Sequence, residues 1–227
     1  MVSSRRFSPA SRFSVACAPA QALSLAEPCY RVSAVTGSTG SGRSLSETTH
    51  HPERHGDLKA YLPLVHRHAP EMEMLLGRLG GEGMALAMDV TSDEAVEYAA
   101  DRISAEWGGL DILVNNAGVG SAGTVERTDL SVWEWTLSTN VLGVARVSHA
   151  FLPMLTNGTG HVVNIASAAG FVSAPGMAAY NASKAAVISI SESLRTELAG
   201  RGIGVTVVCP SFFRTGLLEN FRGPEAA

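Results

Sequence analysis

The chain has few cysteines, little charge and no long apolar run, and each shortage narrows what it can be. Three widely spaced cysteines, Cys17, Cys29 and Cys209, form neither a disulfide framework nor a metal-ligand spacing, which is typical of a reducing compartment. Charged residues make up 17% of the chain and the formal net charge is −4, so nothing in the composition favours nucleic acid or an anionic membrane as a partner. No apolar run approaches the ~20 residues of a membrane span. We therefore expect a globular cytoplasmic protein.

The first 30 residues differ in composition from the rest. They contain three arginines, many serines and no acidic residue before Glu27. This composition is typical of an organelle transit peptide. An unstructured extension, or a start codon assigned too early, would have the same composition. In each case we expect 1–30 to lie outside the fold and 31–227 to form a single domain, and only the first alternative would imply import into an organelle.

From residue 31 onward, short apolar runs alternate with helical stretches. The runs have the composition of buried parallel strands; they are RVSAVTG (31–37), GMALAMDV (83–90), LDILVNNAG (110–118), GHVVNIAS (160–167) and GIGVTVVCP (202–210). The predicted helices are 92–106 with the capping box Thr91 and Glu94, 132–155 with the capping box Ser131 and Glu134, and 178–198 with the C-terminal cap Gly200. This alternation predicts an α/β domain, a doubly wound parallel sheet with helices on both faces and ligand bound at the carboxyl ends of the strands.

One stretch, 44–70, breaks the pattern where the first crossover helix and second strand should lie. Pro52 interrupts any helix, five of the seven histidines crowd into the stretch, and a strand over about 59–65 would be irregular. His51 and His55 are four residues apart, but the proline disturbs the helix that a metal site of this spacing needs. We therefore predict no metal site.

Tyr180 and Lys184 are the first candidates for chemistry. They stand four residues apart in the helical segment AYNASKAAV, so both project from one helix face. A phenol with a pKa near ~10 is a poor acid–base catalyst at neutral pH, whereas an ammonium group nearby lowers that pKa. Lys184 is one of only two lysines in the chain. A pair on a helix surface would show the same spacing.

Three further positions lie where a ligand would be bound. Ser167 ends the strand HVVNIAS, where its hydroxyl faces the ligand crevice and can donate to a carbonyl oxygen; a strand-end serine that starts a turn would stand at the same place. Asn140 is an amide in the middle of a helix, which is unfavourable without a local purpose; taken alone it would be a polar residue satisfied within the fold. Gly118 ends the NNAG segment after a buried strand, and a glycine there lets a ligand approach the backbone.

Together these elements resemble the classical short-chain dehydrogenase/reductase family. The motifs that carry the resemblance are TGSTGSG, MDV, NNAG, the Asn of STNVLG, IAS, YNASK and CPSFFRT, over about 31–43 and 83–219. The resemblance implies a Rossmann-type fold and an NAD(P)-dependent oxidoreductase that interconverts an alcohol and a ketone or aldehyde. It also implies a homodimer or homotetramer assembled through helices 132–155 and 178–198.

The resemblance further implies a role for each matching residue. Tyr180 would be the general acid in reduction and the base in oxidation, Lys184 would lower its pKa and hold the nicotinamide ribose, Ser167 would orient the substrate carbonyl, and Asn140 would keep a water in the proton relay. The cofactor-binding residues it implies are Gly37, Ser38, Gly40, Gly42, Asp89, Val90, Asn116, Ala117, Gly118, Tyr180, Lys184, Phe213 and Thr215.

The chain also departs from the family's pattern. Two residues instead of three separate the first two glycines of its loop, so we expect weakened cofactor binding. Arg67 stands near the predicted end of the second strand, where no acidic residue stands, which favours NADP while leaving NAD open. The chain ends at LLENFRGPEAA, which leaves little to cover the substrate. A non-catalytic or damaged paralogue, able to assemble with intact relatives, is therefore the alternative to an active enzyme. The small apolar residues of 167–177 favour an uncharged substrate.

Overall fold

A computed structural model describes residues 12–16, 31–36, 82–211 and 221–224. Its strands are β1 (Arg12–Ala16), β2 (Arg31–Thr36), β3 (Glu82–Ala87), β4 (Ile112–Asn115), β5 (His161–Ile165) and β6 (Gly204–Val208). They form one sheet in the order β3-β2-β1-β4-β5-β6, and every pairing is parallel. The predicted doubly wound α/β fold is confirmed.

The amino-terminal part of the sheet corrects two predictions. The strand at 31–36 is the second strand in chain order and not the first. The first strand is Arg12–Ala16, which lies in the sheet between β2 and β4. In register, Phe13 is opposite Val32 on one side and Ile112 on the other. Part of 1–30 therefore belongs to the fold. A five-residue strand inside a serine-rich stretch carries too little apolar periodicity to be found from composition, and pairing with two neighbours decides its place.

The helical segments lie between and beside these strands. They are α1 (Asp93–Trp107), α2 (Leu130–Leu137), a π-helical turn (Ser138–Leu142), α3 (Gly143–Phe151), α4 (Ala178–Glu197) and the 3₁₀ turns Leu152–Met154, Ala168–Gly170 and Ala199–Arg201. The helix predicted over 132–155 is thus divided into four segments. Among the described residues, no helix is long and apolar enough to cross a membrane.

The start of α1 lies one residue later than predicted. Ser92 is its N-cap and accepts a hydrogen bond from the backbone N–H of Ala95 at 3.2 Å. The Thr91 hydroxyl donates instead to Asp89 Oδ1 at 2.8 Å. The predicted Thr91 capping box is therefore wrong, because Ser92 and not Thr91 accepts from the first turn of the helix.

Two other helix ends also differ from prediction. The α2 helix begins at Leu130 and its N-cap, Asp129, makes no side-chain capping bond, so Ser131 lies inside the helix and is not its cap. After α4, the left-handed residue is Gly202, at φ 66°, and not Gly200. A 3₁₀ turn extends the helical path past Gly200 and delays the left-handed conformation that favours glycine.

The main core lies between the sheet and helices α1 and α3. Its fully buried side chains include Ile103 of α1, Phe151 of α3, Leu113 of β4 and Val162 of β5. This packing holds β4 and β5 side by side, with Asn115 opposite Asn164 in register. The loops that follow these strands therefore leave the sheet at the same edge, which is where the predicted site residues lie.

Candidate active site

Tyr180 and Lys184 lie in the first turns of α4 and are both buried, with 7% and 5% of their surface exposed. Lys184 Nζ lies 5.8 Å from the centroid of the Tyr180 ring, as expected for two residues on one helix face. The same Nζ donates a hydrogen bond to the backbone oxygen of Ile165 at 2.9 Å. This bond ties the lysine to the carboxyl end of β5.

Ser167 brings a second hydroxyl to the phenol of Tyr180. It follows β5 and caps the short turn Ala168–Gly170, where its Oγ accepts a hydrogen bond from the N–H of Ala169 at 3.2 Å. Its side chain also lies near enough to the Tyr180 phenol to lower the pKa of that group. Because Oγ accepts from the backbone, its own hydrogen can be donated to the phenol oxygen or to a ligand oxygen beside it.

The electrostatics of this pair differ from the expectation. Burial raises the pKa of Tyr180 above its ordinary value, and the hydrogen bond from Ser167 offsets part of that rise. Burial also lowers the pKa of Lys184 to about 8, against a smaller opposing effect of Cys209. The prediction that Tyr180 has a lowered pKa is therefore wrong here, since loss of hydration dominates. Tyr180 keeps its proton at neutral pH, as a general acid requires.

Asn140 lies in the π-helical turn Ser138–Leu142, a distortion often found at functional sites. Its Nδ2 donates to Val119 O and to Ser183 Oγ, both at 2.9 Å. Ser183 Oγ in turn donates to the backbone oxygen of Tyr180 at 2.7 Å. The buried amide therefore joins the loop after β4 to α4, the helix that carries Tyr180. These hydrogen bonds explain why an asparagine is tolerated in the middle of a helical segment.

Gly118 lies between the amide and the lysine. A Cβ atom built on it would be 3.4 Å from Asn140 Oδ1 and 3.4 Å from Lys184 Nζ. The missing side chain leaves a small space bordered by an amide oxygen and an ammonium group. These groups can accept from and donate to the hydroxyls of a ribose, so this end of the site fits a nicotinamide nucleotide.

A crevice beside this space brings other predicted cofactor residues together. It is lined by Val90, Asn115, Ala117, Gly143, Val144 and Val147. Asn115 Oδ1 is buried and has no hydrogen-bond partner among the described residues. The crevice thus has an apolar wall with one spare buried acceptor. Asn116 is half-buried next to this wall.

Asp89 is already engaged in local structure. Its Oδ1 accepts hydrogen bonds from both the N–H and the hydroxyl of Thr91, at 2.8 Å each. It is half-buried between β3 and α1, so it shapes the turn that carries Val90. The remaining predicted cofactor residues lie outside the described residues: Gly37, Ser38, Gly40, Gly42, Arg67, Phe213 and Thr215.

The segment 221–224 is a part of the site that the sequence did not suggest. The N–H of Arg222 donates to Gly120 O at 3.2 Å, and the N–H of Ala122 donates to Arg222 O at 2.9 Å. The Phe221 ring lies 6.2 Å from the Tyr180 ring between centroids. This segment of the carboxyl-terminal stretch therefore lies against the loop after β4 and the Tyr180 ring. A pattern of apolar periodicity could not have placed a short, irregular strip against a loop.

Comparison with known proteins agrees with this geometry. The family described as short chain dehydrogenase matches residues 34–226, most of the chain. The chain belongs to the short-chain dehydrogenase family. The motif resemblance is therefore confirmed, and the chain is an NAD(P)-dependent short-chain dehydrogenase/reductase with a nicotinamide cofactor.

Individual members of the family show the extent of the likeness. The chain is 34% identical over 199 residues to a 3-oxoacyl-[acyl-carrier-protein] reductase of Haemophilus influenzae, covering 87% of this chain and 80% of that protein. It is similar to the crystal structure of a short chain dehydrogenase/reductase from Burkholderia phymatum in complex with NAD, with a TM-score of 0.70, 25% identity and coverage of 95% and 70%. A short chain dehydrogenase from Burkholderia cenocepacia in complex with NADP gives a TM-score of 0.65, 30% identity and coverage of 83% and 66%.

Proposed function

We propose that this chain interconverts an alcohol and a ketone or aldehyde, with Tyr180 as general acid in reduction and general base in oxidation. The observation that carries the proposal is that the Ser167 side chain lowers the pKa of the buried Tyr180 phenol against the larger effect of burial, with Lys184 Nζ held beside the same ring by Ile165 O. When bound, the nicotinamide supplies or accepts the hydride. The protein therefore has to place the substrate and move one proton.

The two hydroxyls share the substrate oxygen. In reduction, Ser167 donates a hydrogen bond to the carbonyl oxygen, and Tyr180 transfers its proton to that oxygen as negative charge develops there. The raised pKa of Tyr180 favours this direction at neutral pH, because the phenol is fully protonated. In oxidation the same phenol must first lose its proton, so we expect that direction to be favoured by alkaline conditions.

Lys184 and Asn140 support the proton transfer without contacting the substrate oxygen. The ammonium group of Lys184 stabilises the phenolate left by proton transfer and faces the space at Gly118 where the nicotinamide ribose would lie. The Asn140 side chain is committed to Val119 and Ser183. We therefore assign Asn140 as a positioning residue for the loop and the helix, in addition to the water contact that family membership suggests.

The proposed cofactor is NADP, with NAD as the alternative. Similar solved structures carry either NAD or NADP, so fold alone does not distinguish them. Arg67 supports NADP because a guanidinium can pair with the ribose phosphate that distinguishes this cofactor. In an Arg67→Ala variant, the affinity for NADPH should fall while that for NADH stays the same.

An uncharged substrate and a homo-oligomer complete the proposal. The residues of 167–177 are mostly small or apolar and none is charged, which favours an uncharged carbonyl compound. For assembly through the helical regions 132–155 and 178–198, the support is the exposure of Leu142 in the first region, at 53%. The helix α4 presents no large exposed apolar side chain in the described chain, so the first region would carry most of that contact.

Cofactor titration tests the proposal. The purified chain is titrated with NADPH and then NADH, followed by nicotinamide fluorescence and thermal shift, and then screened against aldehydes and ketones with Tyr180→Phe as the control. Saturable binding and turnover that the control loses, by about 10²-fold or more, would support it. A folded chain that binds neither cofactor would be a non-catalytic paralogue, as the shortened spacing between Gly37 and Gly40 would explain.

A further inference from the structure

The ring of Phe221 closes one side of the catalytic tyrosine. Its centroid lies 6.2 Å from that of Tyr180, and the two ring planes are inclined by 39°. This separation is within the range of aromatic rings in contact, about 4.5–7 Å between centroids. No substituent of a substrate fits between two rings at this distance. The side of the Tyr180 ring that faces Phe221 is therefore occupied, and a ligand beside Tyr180 has to lie on another side of it.

The Phe221 ring occupies space that is left by the missing side chain of Gly120. A Cβ atom on Gly120 would overlap the Phe221 ring, lying 2.7 Å from Cζ and closer still to Cδ1 and Cε1. The backbone of Gly120 is not among those with positive φ, so conformation does not require glycine there. The space taken up by the Phe221 ring does.

The backbone on either side holds the ring in place. Residues Ser121 and Arg222 form a parallel bridge, supported by the two hydrogen bonds between 221–224 and the loop 120–122. The guanidinium of Arg222 stacks on Trp135, with Cζ 4.1 Å from the ring centroid. Gly223 takes φ 127°, which lets the strip lie flat against Ala122. Phe221 is thus a fixed wall.

We propose that Phe221 determines substrate specificity by closing one side of the carbonyl site. The preferred substrates are then carbonyl compounds with one small substituent on the carbonyl carbon, namely aldehydes and methyl ketones. A second bulky substituent meets the Phe221 ring. This inference rests on the proposed function, because it requires a carbonyl compound at Tyr180, and it adds a size limit that the proposed function does not contain.

The test compares acetophenone with benzophenone, in which a second phenyl group replaces the methyl group. Phe221→Ala vacates a phenyl-sized space, so the ratio of kcat/KM for benzophenone to that for acetophenone should rise by about tenfold or more. A merely structural role would lower both values together and leave the ratio unchanged, which would overturn the proposal. Phe221→Leu keeps apolar packing if the alanine variant does not fold, and should raise the ratio by a smaller factor.

Gly120→Ala provides an independent test of the same wall. Its new methyl group displaces the ring, so the ratio should differ from that of the wild type. The double variant should match Phe221→Ala, since the methyl group then has no ring to displace. Tyr98→Leu, which removes an exposed ring from α1, is the matched control and should leave the ratio unchanged.

A binding measurement separates this inference from the proposed function. Both ketones are titrated onto the wild-type and Phe221→Ala proteins with NADP⁺ and followed by ligand-detected NMR. If neither protein reduces either ketone but the variant gains affinity for benzophenone, the proposed function is contradicted and the size limit set by Phe221 is supported. If turnover is normal and the variant gains no affinity for benzophenone, the size limit is overturned and the proposed function is retained. Absence of binding to both proteins also overturns the wall.

Discussion

The side chain of Asn140 pairs with both backbone groups of Val119. Its Oδ1 accepts from the Val119 N–H at 2.8 Å, and its Nδ2 donates to the Val119 oxygen at 2.9 Å. With Nδ2 also donating to Ser183, the loop after β4 and the helix that carries Tyr180 are held by one buried amide. Loss of either donated bond should therefore loosen the site and lower stability together.

Asn140→Asp tests this arrangement with a change of one atom. The carboxylate keeps an acceptor but loses both donated bonds and adds a buried charge, so the free energy of unfolding should fall by roughly 2–4 kcal/mol. Urea denaturation at pH 7 measures the change. Asn157→Asp is the matched control, because its exposed Oδ1 accepts from Arg201 Nε at 2.8 Å and a carboxylate preserves that bond. Equal effects of the two substitutions would contradict the structural role of Asn140.

The elements that carry the candidate site residues were predictable from the sequence, because local patterns identify the ends of strands and helices. Ser167 follows a buried strand, and the spacing of Tyr180 and Lys184 needs only a helix. Five of the strands were predicted to within a few residues for the same reason. The direction of the Tyr180 pKa was not predictable, because it depends on how much water tertiary packing removes from the phenol.

Contacts between distant segments were beyond the sequence. The central strand β1 is too short to show periodicity, and its identity depends on pairing with β2 and β4. The partners of Asn140 lie 21 and 43 residues away. Phe221 meets a loop about a hundred residues earlier only because Gly120 leaves room. The conformational preferences of neighbouring residues do not predict contacts between segments that are far apart in the chain.

Gly118→Ala should separate cofactor binding from stability. The new methyl group lies at ordinary contact distance, 3.4 Å, from Asn140 Oδ1 and Lys184 Nζ, so we expect a change in unfolding free energy of about 0.5 kcal/mol or less. The methyl group nevertheless fills the space proposed for the nicotinamide ribose, so cofactor affinity should fall by about tenfold or more, as a steric loss of 1.4 kcal/mol would produce. Fluorescence titration and thermal denaturation measure the two effects.

Gly143→Ala is the matched glycine control. Its methyl group would lie 2.9 Å from Val90 Cγ2, which overpacks the contact between α3 and the turn after β3. We expect a loss of about 1–3 kcal/mol in stability. If Gly118→Ala were the less stable of the two, the proposed space at Gly118 would be wrong.

Lys184 should make stability rise with pH in the alkaline range. Its pKa is about 8 in the folded protein against an ordinary value of 10.5. Below pH 8 the folded chain bears the full cost of the buried charge, about 3 kcal/mol for a shift of this size. Between the two pKa values the unfolded chain binds more protons than the folded chain. The free energy of unfolding therefore rises with pH over this range. Urea denaturation of the wild type and Lys184→Met from pH 7 to 10.5 measures it. Parallel stability curves for the two proteins would contradict the shift.

The same lysine should set the alkaline limit of reduction. Reduction needs a protonated Tyr180, whose raised pKa keeps the phenol neutral, and a charged Lys184, which loses its proton near pH 8. We therefore expect kcat/KM for carbonyl reduction at saturating cofactor to fall as pH rises through about 8. In Lys184→Arg the guanidinium stays charged at every accessible pH, so the falling limb should move to higher pH even if the rate itself is lower. A limb that stays in place in the arginine variant would assign the titration to another group, and Lys184 would then act through its position alone.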